Sequence, residues 1–196
     1  MPPLDIPLPD GSIRPVEAGS TLADLAAAIG PRLAQAAVAG KLDGRLCDLS
    51  TRLEAPTKAE ILTFKSPETL EVLRHSTAHL MAAAVQSLYP GTKVTIGPAI
   101  ENGFYYDFEM AKPLTDEDLP AIEKKMAALI AQDDAFVRSE MSAEEATKKF
   151  EGMGESYKSE IIRDLGASTV SCYKVGGFDD LCRGPHIAHS KQVPAF

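Results

Sequence analysis

The feature that most constrains this chain is one long helical stretch, opened by Ser66-Pro67-Glu68 and closed by Tyr89-Pro90-Gly91. Serine suits the cap, proline is already shaped for the first helical position, and an acid at that end offsets the helix dipole. The helix should run to Leu88, and it divides the chain into two parts of different character. Before it, Leu4 to Leu8 alternates like a strand, with Pro7 marking an edge, and Pro9-Asp10-Gly11 supplies turn chemistry for a return along Ile13 to Val16. Ser20 or Thr21 can cap a helix whose apolar positions Leu22, Leu25, Ala26 and Ile29 recur at helical spacing, with Gly30-Pro31 ending it. Strands at 36–39, 46–48 and 60–64 complete a ββαβββ order, the pattern of a β-grasp, ubiquitin-like module over residues 1–65.

Residues 66–196 predict a second domain of the α+β class, built on that long central helix and an antiparallel sheet. Val94–Ile100 and Phe104–Phe108 flank Glu101-Asn102-Gly103, and Asn-Gly suits a primed hairpin turn. Thr115 opens a helix with Leu119, Ile122, Met126 and Leu129 on one face, and Ser142 with Glu145 forms a capping box for another ending near Gly152. Gly154-Glu155-Ser156-Tyr157-Lys158 reads as a loop, followed by a short helix over 159–165, a strand over 169–175 and a glycine-rich approach to Leu-Cys-Arg-Gly-Pro-His.

Charge and cysteine usage narrow the function. A net charge of −8 is wrong for a protein that coats nucleic acid non-specifically, so any RNA contact must be local. Residues 1–65 hold eight acidic and seven basic side chains, which leaves the excess negative charge to the second part. Three cysteines, Cys47, Cys172 and Cys182, at irregular spacing argue for reduced thiols. No run approaches the roughly 20 apolar residues of a membrane span, and the N-terminus lacks a signal core, so the expected location is cytoplasmic, with no membrane partner.

The residues suited to chemistry sit in the second part. His75 and His79 are four apart and share a helix face. On a 100° wheel Leu70, Leu73, Thr77, Leu80, Ala84 and Leu88 gather on the opposite side, which predicts a core stripe there and a pocket floor under the histidines. Cys182 and His186 lie in Cys182-Arg183-Gly184-Pro185-His186, where Gly-Pro forbids a continuous helix and a loop presents thiol and imidazole. Two histidines from a helix with a cysteine and a histidine from a loop suit either zinc or the activation of water. Spacing does not choose between them.

Taken together, His75-Ser-Thr-Ala-His79, Ile96-Gly97-Pro98 with Glu101-Asn-Gly-Phe-Tyr-Tyr106-Asp107, Gly154-Glu-Ser-Tyr-Lys158 and Asp180-Leu-Cys182-Arg-Gly-Pro-His186 resemble the front end of bacterial threonyl-tRNA synthetases. The leading Leu-Pro-Asp-Gly-Ser and the layout of residues 1–65 look like that family's TGS module. Two stretches depart from the pattern: Thr77, where many members have a small residue such as cysteine, and Gly176-Gly177-Phe178 before the last motif. The family's aminoacylation and anticodon-binding domains are not in this sequence, which fits either an excised fragment or a free-standing editing protein.

The resemblance implies a proofreading hydrolase acting on tRNA(Thr) whose acceptor end carries serine, with the rest of the synthetase as its partner. Serine and threonine differ by one methyl, worth only about 1–3 kcal/mol in a binding pocket, so a second site that admits the smaller ester and refuses the larger is needed. By the same resemblance Asp180 takes the α-ammonium, His75 and Lys158 activate water and stabilise charge, Tyr106 shapes the pocket or contacts the terminal adenosine, and His79, Cys182 and His186 complete the wall and position the substrate hydroxyls. No cofactor is implied for this branch. The related alanyl-tRNA synthetase editing domains bind zinc through a comparable set, which keeps His75, His79, Cys182 and His186 open as metal ligands. A non-catalytic RNA-binding module and a zinc-dependent hydrolase are the alternatives.

Overall fold

In the computed structural model, which describes residues 3–196, contacts divide the chain into two compact units. One holds the N-terminal residues to Leu73 together with Gly184–Ala188, the other Arg74–Arg183 with His189–Phe196. The first unit begins with the hairpin β1 (Leu4–Pro7) and β2 (Ile13–Val16), antiparallel with Leu4 opposite Val16. Helix α1 (Leu22–Ile29) is capped by Thr21, which exchanges hydrogen bonds with Asp24 in a full capping box. Gly30-Pro31 ends that helix but does not end helicity. Proline at the first position starts a second short helix, α2 (Pro31–Ala36), because its fixed φ suits that position. The strands β3 (Ala37–Leu42), β4 (Arg45–Cys47) and β5 (Ala59–Thr63) form an antiparallel sheet in the order β4-β3-β5. Ile6, Leu8, Val16, Leu22, Leu25, Leu53 and Ala59 meet in one core beneath α1, giving a β-grasp arrangement.

Helix α3 (Thr69–Leu88) starts two residues later than its sequence signal, which placed Pro67 first. Ser66 and Pro67 form a turn instead, with Thr69 N–H and its hydroxyl both donating to the Ser66 carbonyl. The core-stripe expectation for this helix needs correction. Leu70 is half exposed and Leu88 borders on exposed, whereas Ser76, Thr77, Ala78, His79, Leu80, Ala82, Ala84 and Val85 are all buried. The middle of α3 is buried over most of its surface, with Met81 and Ala83 half-buried, which its small residues permit.

After α3 come four short strands, β6 (Lys93–Val94), β7 (Ala99–Ile100), β8 (Gly103–Phe104) and β9 (Phe108–Glu109), which form one long, interrupted hairpin. β6 pairs with β9 at its base and β7 with β8 at its tip, while Thr95 and Ile96 exchange backbone bonds with Asp107 between them. Ile100 lies opposite Gly103, so the two-residue turn is Glu101-Asn102 rather than Asn102-Gly103.

Helix α4 (Leu119–Ala131) packs Ile122 and Met126 against Ala84 and Val85 of α3. Thr115 to Asp118 precedes it as a turn, where Asp118 accepts the Thr115 N–H and hydroxyl. The strand β10 (Phe136–Ser142) leads into α5 (Ala143–Gly152), capped by the Ser142–Glu145 box as its sequence predicts. Helix α6 (Ser156–Leu165) follows, then β11 (Thr169–Val175) and β12 (Phe178–Leu181), completing the antiparallel sheet β10-β11-β12. Phe150, Ile162, Val170 and Cys172 form the core between α5, α6 and this sheet. Among the described residues no helix is long and apolar enough to cross a membrane.

Candidate functional site

Helix α3 sets the two histidines one turn apart, with ring centroids 5.0 Å from each other. Their chemistry differs because their burial differs. His75 is half-buried, while His79 is 2% exposed and edge-on to Phe178 of β12 at 5.8 Å. Burial pushes the His79 imidazole down to a pKa of about 3. The Asp180 charge opposes that shift only in part, and His75 and Lys158 reinforce it. His79 is therefore a neutral ring at physiological pH.

Strand β12 delivers the next two groups. Asp180 lies opposite Tyr173 and Leu181 opposite Cys172, so Asp180 points away from the core shared by Cys172 and Leu181. Cys182 follows directly, its backbone fixed at both ends: its N–H donates to the Ser171 carbonyl, and the Ser171 hydroxyl donates to its carbonyl at 2.6 Å. That placement brings Cys182 Sγ to 3.0 Å from His75 Nε2. The ligand atoms of His75, His79 and Cys182 all lie within 4.8 Å of one another, and such a set could hold a metal ion.

Lys158 corrects the sequence reading most. It is not a loop lysine: α6 begins at Ser156, three residues earlier than expected, and Lys158 sits in its first turn, 2% exposed. Its ammonium forms an ion pair with Asp180 Oδ1 at 2.6 Å and donates to the Thr95 carbonyl at 2.6 Å. The Tyr106 hydroxyl donates to Asp180 Oδ2 at 2.5 Å. Burial first, and then the Asp180 charge, raise the Tyr106 pKa well above its ordinary value, so the phenol keeps its proton and stays a donor. His79 Nε2 lies 3.8 Å from the same carboxylate oxygen, beyond hydrogen-bond distance. Asp180, 1% exposed, is thus a buried carboxylate held by a cation and a phenol.

A cavity of about 460 Å³ opens over these groups, lined by His75, His79, Tyr106, Lys158, Asp180 and Cys182 and walled by Thr95, Ile96, Gly97 and Pro98 of the hairpin. Six of the seven predicted site residues share it. The seventh, His186, is buried in the segment that groups with the first unit, where its N–H donates to Asp48 Oδ1 at 2.8 Å. Sequence reading did not single out Thr95, whose contribution is a backbone carbonyl and so carries no residue signal. Gly97 stood in a quoted motif without a role, and the structure supplies one. A Cβ at 97 would sit 2.1 Å from Tyr106 Cδ2. Gly97→Ala must displace the ring that holds Asp180, and it should destabilise the protein by about 1–3 kcal/mol, the usual range for overpacking. Urea unfolding reads this directly, and an unchanged midpoint would mean that the ring moves freely.

Residues 4–63 match the model of the TGS domain, which identifies the first unit as a β-grasp module of that class. The whole chain is 58% identical over 196 residues to the threonine–tRNA ligase of Pelobacter propionicus, covering 100% of this chain and 31% of that protein. It is 55% identical over 193 residues to that of Citrifermentans bemidjiense (98% and 30%) and 51% over 192 residues to that of Alkalilimnicola ehrlichii (97% and 30%). Along its whole length the chain is similar to the N-terminal region of threonine–tRNA ligases. It spans about a third of the length of the relatives it matches, 31% in the first case.

Proposed function

We propose that residues 66–196 form a proofreading domain that hydrolyses the ester of Ser-tRNA(Thr), with the 1–65 module as its TGS partner. The observation that carries this reading is the grouping of a half-buried imidazole, a thiol, a buried lysine–carboxylate pair and a phenol around one cavity. Hydrolysis of an aminoacyl ester needs a base for water, a donor for the oxyanion and a group that registers the amino acid. His75 fits the base. His79, with a pKa of about 3, is too weak a base at neutral pH and serves as a neutral polar wall.

Lys158 has three N–H donors, of which one meets the Thr95 carbonyl while the ammonium is ion-paired with Asp180, and this leaves donor capacity for the developing oxyanion. Asp180 Oδ2 accepts from Tyr106, and Oδ1, ion-paired with Lys158, keeps lone pairs for the α-ammonium of the substrate. Cys182 and His186 are assigned to the wall that meets the substrate hydroxyls. The acceptor end of tRNA(Thr) is the proposed partner, since the acidic second domain favours a local contact over a broad one. Incubating the chain with Ser-tRNA(Thr) tests the reading, and a chain that binds the RNA without cleaving the ester would instead be a binding module.

Zinc is a second reading, favoured by one observation: His75, His79 and Cys182 offer nitrogen and sulfur ligands within 4.8 Å, with His186 as a proposed fourth. Tetrahedral ligation at about 2.0–2.3 Å separates such atoms by roughly 3–4 Å, so a set spread over as much as 4.8 Å would have to draw in to hold the ion. Zinc bound there would supply a Lewis acid and an activated water. The neighbouring Lys158 cation already supplies positive charge at the cavity, and this favours hydrolysis without a metal. Deacylation is therefore expected to survive chelation by EDTA at an unchanged rate. Activity lost to EDTA and restored by zinc alone would make the cluster a ligand set.

A further inference from the structure

Glu155 is a buried carboxylate, 6% exposed, to which the proposed chemistry assigns no part. It occupies the cap position of α6 and uses both of its oxygens. Oε1 accepts from the Gln86 amide of α3 at 2.5 Å, and Oε2 accepts from the Val94 N–H of β6 at 3.1 Å. Gln86 also donates to the Thr92 carbonyl at 2.9 Å, so the pair grips the strip that enters the hairpin at two points. One residue beyond Val94, the Thr95 carbonyl receives the Lys158 ammonium, and Ile96 and Gly97 of the cavity wall come next. Glu155 caps α6, and Lys158 follows three residues later in its first turn. The first turn of α6 thus meets consecutive residues of the hairpin, carboxylate to Val94 and ammonium to Thr95.

We propose that Glu155 is a positioning residue of the deacylase site: its two-sided grip on Gln86 and Val94 fixes the hairpin wall against Lys158, and through that wall it sets which ester fits. This rests on the proofreading function proposed above. Both oxygens must accept, because each faces an N–H donor. Only a carboxylate meets that demand, since an amide of the same shape would turn an N–H toward a donor. Loss of either bond frees the wall at its base, and a shift of about 1 Å near reacting groups can cost 100-fold in rate.

Glu155→Gln tests this, assayed on Ser-tRNA(Thr) and Thr-tRNA(Thr) at a temperature where its thermal melt shows it fully folded. The seryl rate should fall about 10- to 100-fold, and the preference for serine over threonine should fall at least about threefold, because the wall that discriminates has moved. With the variant fully folded, a merely structural role leaves both rates unchanged; that result, or an equal fall of both rates that leaves the preference intact, overturns the proposal. Hydrogen exchange provides a readout without substrate. The Val94 amide should exchange about tenfold faster or more in the variant while β11 amides keep their protection. If the wild-type chain hydrolyses neither ester, the functional reading fails, and Val94 exchange still decides whether the grip exists.

Discussion

Lys158→Met should reduce deacylation of Ser-tRNA(Thr) by about 100-fold or more, the usual cost of losing one preorganised donor to an oxyanion. It should also destabilise the fold. The ammonium is 2% exposed and is the ion-pair partner of Asp180, which is itself 1% exposed. Removing one member of a buried pair leaves the other charge uncompensated, at a cost of about 3–5 kcal/mol. These two effects separate in the double variant Lys158→Met with Asp180→Asn, where the stranded charge is gone. Most of the stability should return in urea unfolding while deacylation stays lost. Near-wild-type hydrolysis by either folded variant would remove lysine from the chemistry, and a Lys158→Met protein as stable as the parent would contradict the buried ion pair.

The parts of the site that could be read from sequence are those fixed by local geometry. His75 and His79 meet because four residues make about one helical turn, and the Ser142–Glu145 box caps α5 because its partners are three residues apart. Cys182 and Asp180 were found through a motif whose residues lie on one strand and its exit. The burial of Lys158 was hidden for the opposite reason. Glu155, Ser156, Tyr157 and Lys158 read as polar loop, and what permits their helix to sink inward is supplied from afar, by Asp180 and by the Thr95 carbonyl.

Strand β10 was missed on similar grounds. Five of its seven residues are exposed, without the alternation that marks a strand, and its ladder comes from pairing Phe136–Ser142 against Val175–Thr169. Gly176-Gly177 read as an irregular approach but is the turn between β11 and β12, with Gly176 at φ 56, where a side chain is disfavoured. Helix α3 misled by its own composition. A wheel ranks residues by hydrophobicity, whereas Ser76, Ala78 and Ala82 are buried because they are small.

The most direct measurement is the rate of hydrolysis of Ser-tRNA(Thr) and Thr-tRNA(Thr) by this chain, at high protein concentration and low salt so that weak phosphate contacts persist. The seryl ester should be cleaved faster by roughly 10–200-fold, the discrimination available from one methyl group in a fitted pocket. Equal hydrolysis of the two esters, or hydrolysis of neither, would contradict the proofreading account.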